Sequence, residues 1–483
     1  MNAAEHFPLM VHGAAASDYS PVQVKAPYDG SLIATVATAN AEAVEQALSN
    51  AAALFVDRDG WLSVPERIGI LERAIELMQD QAEELAIEAA REGGKPLVDS
   101  NIEMVRCIDS IRICINTLRS EGNQSPPMGV NAASQQHMAM TFKEPIGVVV
   151  AVSAFNHPLN LIAHQVGPAI ATGCPVIVKP AQDTPLSCAR LVRIFHQAGL
   201  PEAWCQFVLP ESHALSEALV TDERVAFFSF IGSAKVGWYL RSKLAAGTRC
   251  ALEHGGVAPV IIAEDADLDM ALPGLVKGSF YHAGQVCVSV QRIFAHASIA
   301  GELAERMAAS AQSLIVGDPI AEETEVGPLI REQEMQRVKE WVGEAVTGGA
   351  KLLCGGHILD HQCYAPTVLF NPPADAKVST GEVFGPVVCI YPFEEMDDAI
   401  AAANALDVAF QAAVYSRNID TAMYVASRLA ASAVMINEHT AFRVDWMPFA
   451  GLKQSGLGVG GIPHTMHDMQ TNKMIVVRSA GIS

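Results

Sequence analysis

In the first quarter of the chain, apolar residues recur at three- and four-residue spacing. This pattern predicts helices over Ala41–Phe55, Pro65–Arg91 and Val98–Arg119, separated by Asp-Gly-Trp and Gly-Gly-Lys-Pro breaks. From Gly147 the period changes. Short β-branched runs (VVVAVSA, PVIVKP, CQFVLP, FFSFIG) alternate with helical stretches (LIAHQVGPAIATG, LSCARLVRIFHQAGL), the signature of a parallel, doubly wound sheet. A second alternation opens near Pro259 with PVIIAE, runs through RIFAH, VVCIYPF and AAVYS, adds a helix over Asp420–Ala430 and closes with AVMINE. The pattern therefore predicts an α/β protein with two Rossmann-like units in tandem. Asn123–Lys143 and Asp468–Ser483 belong to neither alternation and read as strands donated to a neighbour. No repeat of solenoid period occurs.

Composition narrows the function classes. The 483 residues are half apolar and 18% charged, an ordinary globular balance that excludes disorder. The net charge of −21 repels phosphate backbones and anionic lipid heads, so neither nucleic acid nor a membrane surface is an expected partner. The charge-free run from Pro145 to Val178 holds Asn156, His157, Pro158, Asn160, His164, Gln165 and Pro168, and reads as buried soluble core. The N-terminus lacks the basic region of a secretory signal, and ten scattered cysteines form no CxxC pair. A reducing, cytoplasmic location is expected, with neither disulfides nor a metal.

Several short stretches carry chemistry. Gly456, Gly458 and Gly461 match the GxGxxG spacing of dinucleotide turns, but the preceding PFAGLKQS and the following Ile462-Pro463 are the wrong context, and a flexible loop is the plainer reading. A better anion site is the turn Phe230-Ile231-Gly232-Ser233-Ala234-Lys235-Val236-Gly237, where a strand ends and a helix opens. Taken alone, a strand-to-helix turn with Ser233 as N-cap is the plainer reading. Lys179, ending PVIV, lies where parallel sheets place ligand contacts, though alone it reads as a surface lysine. Cys287 reads either as a small core hydrophobe or as a nucleophile. Glu253 in Leu-Glu-His-Gly-Gly is a lone acid in apolar surroundings, suited to a general base of raised pKa. Asn156, after VVVAVSA, is an amide suited to an oxyanion.

In this order, Asn156, Lys179, Gly232 to Gly237, Glu253, Cys287, and Glu382-Val383-Phe384-Gly385-Pro386, with MPFAGLKQSGLG near the C-terminus, the chain resembles the aldehyde dehydrogenase superfamily nearly end to end. The resemblance implies that fold, with a small β oligomerisation element added to the two parallel-sheet domains. Residues 1–122 and 144–252 would bind NAD or NADP, 253–462 would carry the thiol, and 123–143 with 463–483 would bridge subunits of a homodimer or homotetramer. By the same resemblance Cys287 would attack the aldehyde, Asn156 would hold the oxyanion, and Glu253 would activate water to release a carboxylic acid. Lys179 and Gln182 would meet the adenine ribose, Gly232, Ser233 and Gly237 the pyrophosphate turn, and Glu382 with Phe384 the nicotinamide ribose and ring. Read without the resemblance, Glu382 is a solvated helix acid and Phe384 a core aromatic. Relatives that pass the acyl group to coenzyme A generally lack the glutamate, which sets that alternative second. A catalytically silent member of the fold is a third reading.

This chain departs from the family pattern at several positions. Gln182 is neutral where many relatives carry an acid that repels a 2′-phosphate, while Asp183 beside it restores some repulsion. His254 and His282 replace a leucine and an asparagine, and read as buried, satisfied polar groups; Ala450 replaces a glycine, and a glycine expected near Leu209-Pro210-Glu211 is absent. Arg443, in Phe-Arg-Val-Asp, is suited to gripping an acidic substrate group, or else pairs with Asp445 or another acid. Arg106 matches a position used by phosphate-handling relatives. Those relatives also place an arginine immediately before the thiol, and here that residue is Val286. The expected substrate is thus a small hydroxy-, keto- or carboxy-aldehyde, such as lactaldehyde, glycolaldehyde or succinic semialdehyde. Phe-Arg-Val-Asp with Tyr-His-Ala-Gly-Gln looks like the lactaldehyde dehydrogenase-like branch, near the non-phosphorylating glyceraldehyde-3-phosphate dehydrogenases.

Overall fold

A computed structural model describes residues 5–14 and 21–482. Two mainly parallel sheets dominate it. The first has six strands, in the order Gly456–Leu457, Arg249–Glu253, Val225–Ile231, Val148–Val152, Val176–Lys179 and Cys205–Phe207, all parallel except the first. The second has seven, from Lys351–Cys354 through Thr367–Phe370, Val387–Phe393, Val290–His296, Ala258–Ile262 and Gln411–Tyr415 to Ala433–Ile436, with only the first antiparallel. The central strand Val148–Val152 is buried at every position, as β-branched runs covered on both faces require.

The helical layer forms as the periodicity predicts, with one difference. The stretch read as a single helix from Pro65 is two, Val64–Asp80 and Ala82–Gly93, broken where Gln81 leaves helical geometry at φ −108° and ψ 10°. Both pieces bury apolar residues in the same core, so the periodicity continues across the break. Ser63 starts the first with a capping box to Glu66. The helix expected over Asp420–Ala430 is Ile419–Ala426, capped by Asn418. Pattern reading missed the strands Arg249–Glu253 and Lys351–Cys354, both short and partly exposed, and the small N-terminal sheet of Glu5–Phe7, Leu32–Ala37 and Pro21–Lys25.

The two unassigned segments pair with each other. His137–Pro145 and Gln470–Arg478 form a separate antiparallel ribbon, in register from Pro145 opposite Gln470 to His137 opposite Arg478. Met474, Ile475, Val476 and Val477 on it are all exposed. The glycine-rich GLGVGG segment is not a free loop, because Gly456 and Leu457 pair with Glu253 and Leu252. The helix after it, Ile462–Asp468, has only seven residues.

Candidate active site

The thiol, the amide and the carboxyl converge where the two sheets meet. Asn156 lies between the strand Val148–Val152 and the helix Asn160–Thr172, and its Nδ2 donates to the carbonyl of Gln285 at 2.9 Å, two residues before the thiol. An amide nitrogen carries two hydrogens, so this bond fixes the side chain and leaves a second N–H for an oxyanion. Beneath it, Lys95 donates to the Asn156 carbonyl at 3.3 Å and pairs with Glu103. Glu103 in turn accepts from the backbone N–H groups of Leu159 and Asn160, each at 2.9 Å. This buried pair holds the Asn156 turn from below, and nothing in the sequence pattern singled it out.

Glu253 ends the strand Arg249–Glu253. Its carboxyl packs so closely over Gly460 that any side chain there would overlap it, and Gly255 is restricted in the same way by Glu382. Burial raises the pKa of Glu253, with Arg443 opposing, and pushes Glu382 up to about 8. Cys287 sits among Val286, Val288, Phe410 and Phe449. Burial pushes its thiol up to about 12; Arg443 acts against that rise, while Glu382 and Glu253 add to it. Burial thus acts in one direction on all three groups, favouring the protonated thiol and raising the proton affinity of both acids.

Of the groups expected at the cofactor, Lys179, Gln182, Gly232 and Ser233 lie at or just beyond the carboxyl ends of strands of the first sheet. Lys179 ends the strand Val176–Lys179, and its Nζ donates to the Pro180 carbonyl at 3.0 Å; desolvation lowers its pKa. Gln182 is exposed in the following loop. Asp183 does not face that loop unpaired, because Arg331 grips it through Nε at 2.9 Å and through Nη2. Its expected repulsion of a 2′-phosphate is thereby compensated. Ser233 occupies the N-cap position of the helix Ala234–Arg241 but makes no capping bond. Gly237 lies on that helix's inner face, where a side chain would overlap the His254 ring. Glu382 and Phe384 follow the short helix Lys377–Thr380, so Glu382 is not a solvated helix acid. Phe384 meets Phe155 edge-on at 5.8 Å between centroids. The Oε1 of Glu382 and the Oγ of Ser153, which follows the strand Val148–Val152, are both buried without a partner. Acceptors left in this state suit the hydroxyls of a nucleotide.

The two histidines are buried as expected, at 2% and 1% exposure, but not satisfied. Among the described residues, His254 uses only Nδ1, bonded to the Gly232 carbonyl at 2.9 Å, and neither ring nitrogen of His282 has a partner. Desolvation lowers the pKa of both, so both rings are neutral.

The arginines differ from the expected pairing. Asp445 binds Arg106, not Arg443, through Nε at 3.1 Å and Nη2 at 2.6 Å. It also accepts from His164 Nε2 at 2.8 Å and Asn160 Nδ2 at 3.2 Å. Arg443 stacks on Phe449 with its guanidinium carbon 3.5 Å from the ring centroid, touches His164 Nδ1 at 3.4 Å, and leaves Nε buried without a partner. Both arginines line one cleft of about 340 Å³, together with Trp446 and Arg112.

Fold and site together define an oxidoreductase that uses a nicotinamide nucleotide. The chain matches the aldehyde dehydrogenase family over residues 14–475, and it belongs to that family. It is 34% identical to 3-sulfolactaldehyde dehydrogenase of Priestia aryabhattai over 478 residues, 99% of each chain. In structure it resembles aldehyde dehydrogenase 21 of Physcomitrella patens in complex with the reaction product succinate, at TM-score 0.95 and 32% identity over 99% of both chains. A glyceraldehyde-3-phosphate dehydrogenase of Methanocaldococcus jannaschii, complexed with NADP, matches at TM-score 0.91 and 33% identity over 96% of this chain and all of that one. The enzyme is an NAD(P)-dependent aldehyde dehydrogenase that oxidises small aldehydes.

Proposed function

We propose that the enzyme converts a small aldehyde bearing an acidic or hydroxy-acid tail to its carboxylic acid, with Arg443 gripping the tail. The observation that carries this reading is the half-buried guanidinium of Arg443, which acts by charge on Cys287 and Glu253, keeps Nε buried without a partner, and has no carboxylate bonded to it among the described residues. The sulfonate of one relative's substrate and the succinate bound to another support an anionic tail. In this reading Cys287 releases its proton to solvent and adds to the aldehyde carbon, the second N–H of Asn156 holds the oxygen that becomes negative, and the resulting thiohemiacetal becomes a thioester as its C–H leaves as hydride. Bound cofactor supplies the hydride acceptor. Glu253 then takes a proton from water, which displaces the thiol from the thioester and frees the acid. Glu382, Phe384, Lys179, Gln182, Gly232 and Ser233 would hold the cofactor, with Gly237 letting the helix approach the sheet. Residues 1–122 and 144–252 would form the cofactor domain and 253–462 the thiol domain.

We further propose a homodimer or homotetramer built on the ribbon, supported by its run of exposed apolar residues. A cytoplasmic location is supported by free thiols at all ten cysteines.

The first test is absorbance of the reduced cofactor with a panel of carboxy-, sulfo-, hydroxy- and unsubstituted aldehydes. Turnover should be fastest with an acidic tail, and Arg443→Ala should lower that preference by about tenfold or more, as for a lost charge-assisted contact. Faster turnover of unsubstituted aldehydes by the unmodified enzyme would overturn the anionic reading.

A further inference from the structure

The cleft that Arg443 lines contains more positive groups than a singly charged tail needs, and one acid offsets the surplus. Asp445 is 2% exposed and bonds three side chains. Arg106 presents two nitrogens to it in the paired geometry that guanidinium and carboxylate favour. His164, 5% exposed, is fixed between Asp445 and Arg443, and its bonds define its tautomer. Arg443 can only donate, so Nδ1 of His164 accepts and Nε2 carries the hydrogen given to Asp445. His164 is therefore neutral, in keeping with a pKa lowered to about 4, chiefly by burial. Asp445 is held ionised, its pKa well below the usual carboxylate range through His164 and Arg106. Of the remaining charges lining the cleft, Asp109 and Arg112 pair with each other at 3.2 Å. Among the groups around the tail, Arg106, Arg443, Asp445, His164 and Asn160 sum to one positive charge; Glu253, the acid that acts most on Arg443, serves the thiol and is unchanged by substitutions at Asp445 or Arg106.

We propose that Asp445 sets the charge of the tail this enzyme accepts: by neutralising Arg106 it leaves Arg443 as a single cation, which selects a monoanionic tail over a phosphate dianion. The inference rests on the reading of Arg443 as the tail's partner and adds to it a residue that acts without touching substrate. A phosphate needs two or more guanidinium groups to offset its desolvation, whereas a carboxylate or sulfonate is matched by one. The absence of an arginine at Val286 acts in the same direction.

The test uses the full-length enzyme with succinic semialdehyde as the monoanion, glyceraldehyde 3-phosphate as the dianion and propionaldehyde as a neutral reference. In Asp445→Asn, Arg106 is released and the net charge rises by one. The ratio of kcat/KM for monoanion over dianion should then fall by about tenfold or more, mainly through the dianion's KM. A ratio unchanged within about twofold would overturn the proposal. Should Asp445→Asn fail to fold, Arg106→Gln reads the same balance from the other side. It leaves Asp445 facing Arg443 with net charge zero, and should raise the KM for succinic semialdehyde by about tenfold relative to propionaldehyde, with a smaller effect on kcat. Equal effects on both aldehydes would also overturn it. If the unmodified enzyme shows no preference for succinic semialdehyde over propionaldehyde, the reading of Arg443 fails first, which separates the two failures.

Discussion

The nucleotide end and the thiol pocket are built differently. At the nucleotide end, Lys179, Gly232 and Ser233 each follow directly from a strand of one sheet, so backbone geometry alone places them. In the pocket, Asn156, Glu253, Cys287 and Arg443 come from four separate segments and act on one another through burial and charge. The first region is modular and the second is coupled. Substitutions in the pocket should therefore be large and interdependent, whereas those at the nucleotide end should be modest and confined to cofactor choice.

The largest effect is expected at the amide. Asn156→Ala should lower kcat by about 10²–10³, the cost of one oxyanion donor, with little change in KM. A loss below about tenfold would remove Asn156 from the reaction and break the comparison at its strongest point. Next comes the pH dependence. Glu253 acts as a base only when ionised, and burial raises its pKa, so deacylation should be lost as pH falls through a value above the ordinary carboxyl range. Glu253→Gln should abolish that acid limb and leave a single-turnover burst of reduced cofactor, read by stopped flow. A limb that persists in the variant would assign it to another group, with Glu382 the other acid of raised pKa that acts on Cys287. The smallest effect sharpens the modular side. Gln182→Glu should shift the NADP to NAD ratio of kcat/KM toward NAD by about tenfold through repulsion of the 2′-phosphate, with kcat on the preferred cofactor held. A comparable fall in kcat would show that the two regions are not separable.

This contrast also explains what was legible in the sequence. The two alternations and the strand-end motifs are local, since period and turn chemistry lie within a dozen residues, and they led to the sheets and to Lys179, Gly232, Ser233 and Asn156. The partners of buried charges are not local. Arg106 and Asp445 are 339 residues apart, and His164 lies in a run read simply as apolar core. Nothing short of the folded chain shows that Asp445 turns to Arg106 and away from Arg443, two residues before it. The same holds for Lys95 and Glu103 under Asn156, and for Arg331 compensating Asp183. The unsatisfied rings of His254 and His282 could not be read either, because satisfaction depends on neighbours that only tertiary packing supplies.

The pairing of His137–Pro145 with Gln470–Arg478 has a consequence in time. The two strands are separated by more than three hundred residues, and Ile462, Met466 and Met469 just before the second strand complete the core under the first sheet. A ribosome adding about 5–20 residues per second needs roughly 15–65 s to cross that interval. Throughout it, the early strand has no partner and the core under the first sheet lacks its last apolar plug. The nascent chain therefore cannot finish its first half until its final residues emerge. Loss of the segment from Ile462 to Arg478 should damage the part of the molecule made first.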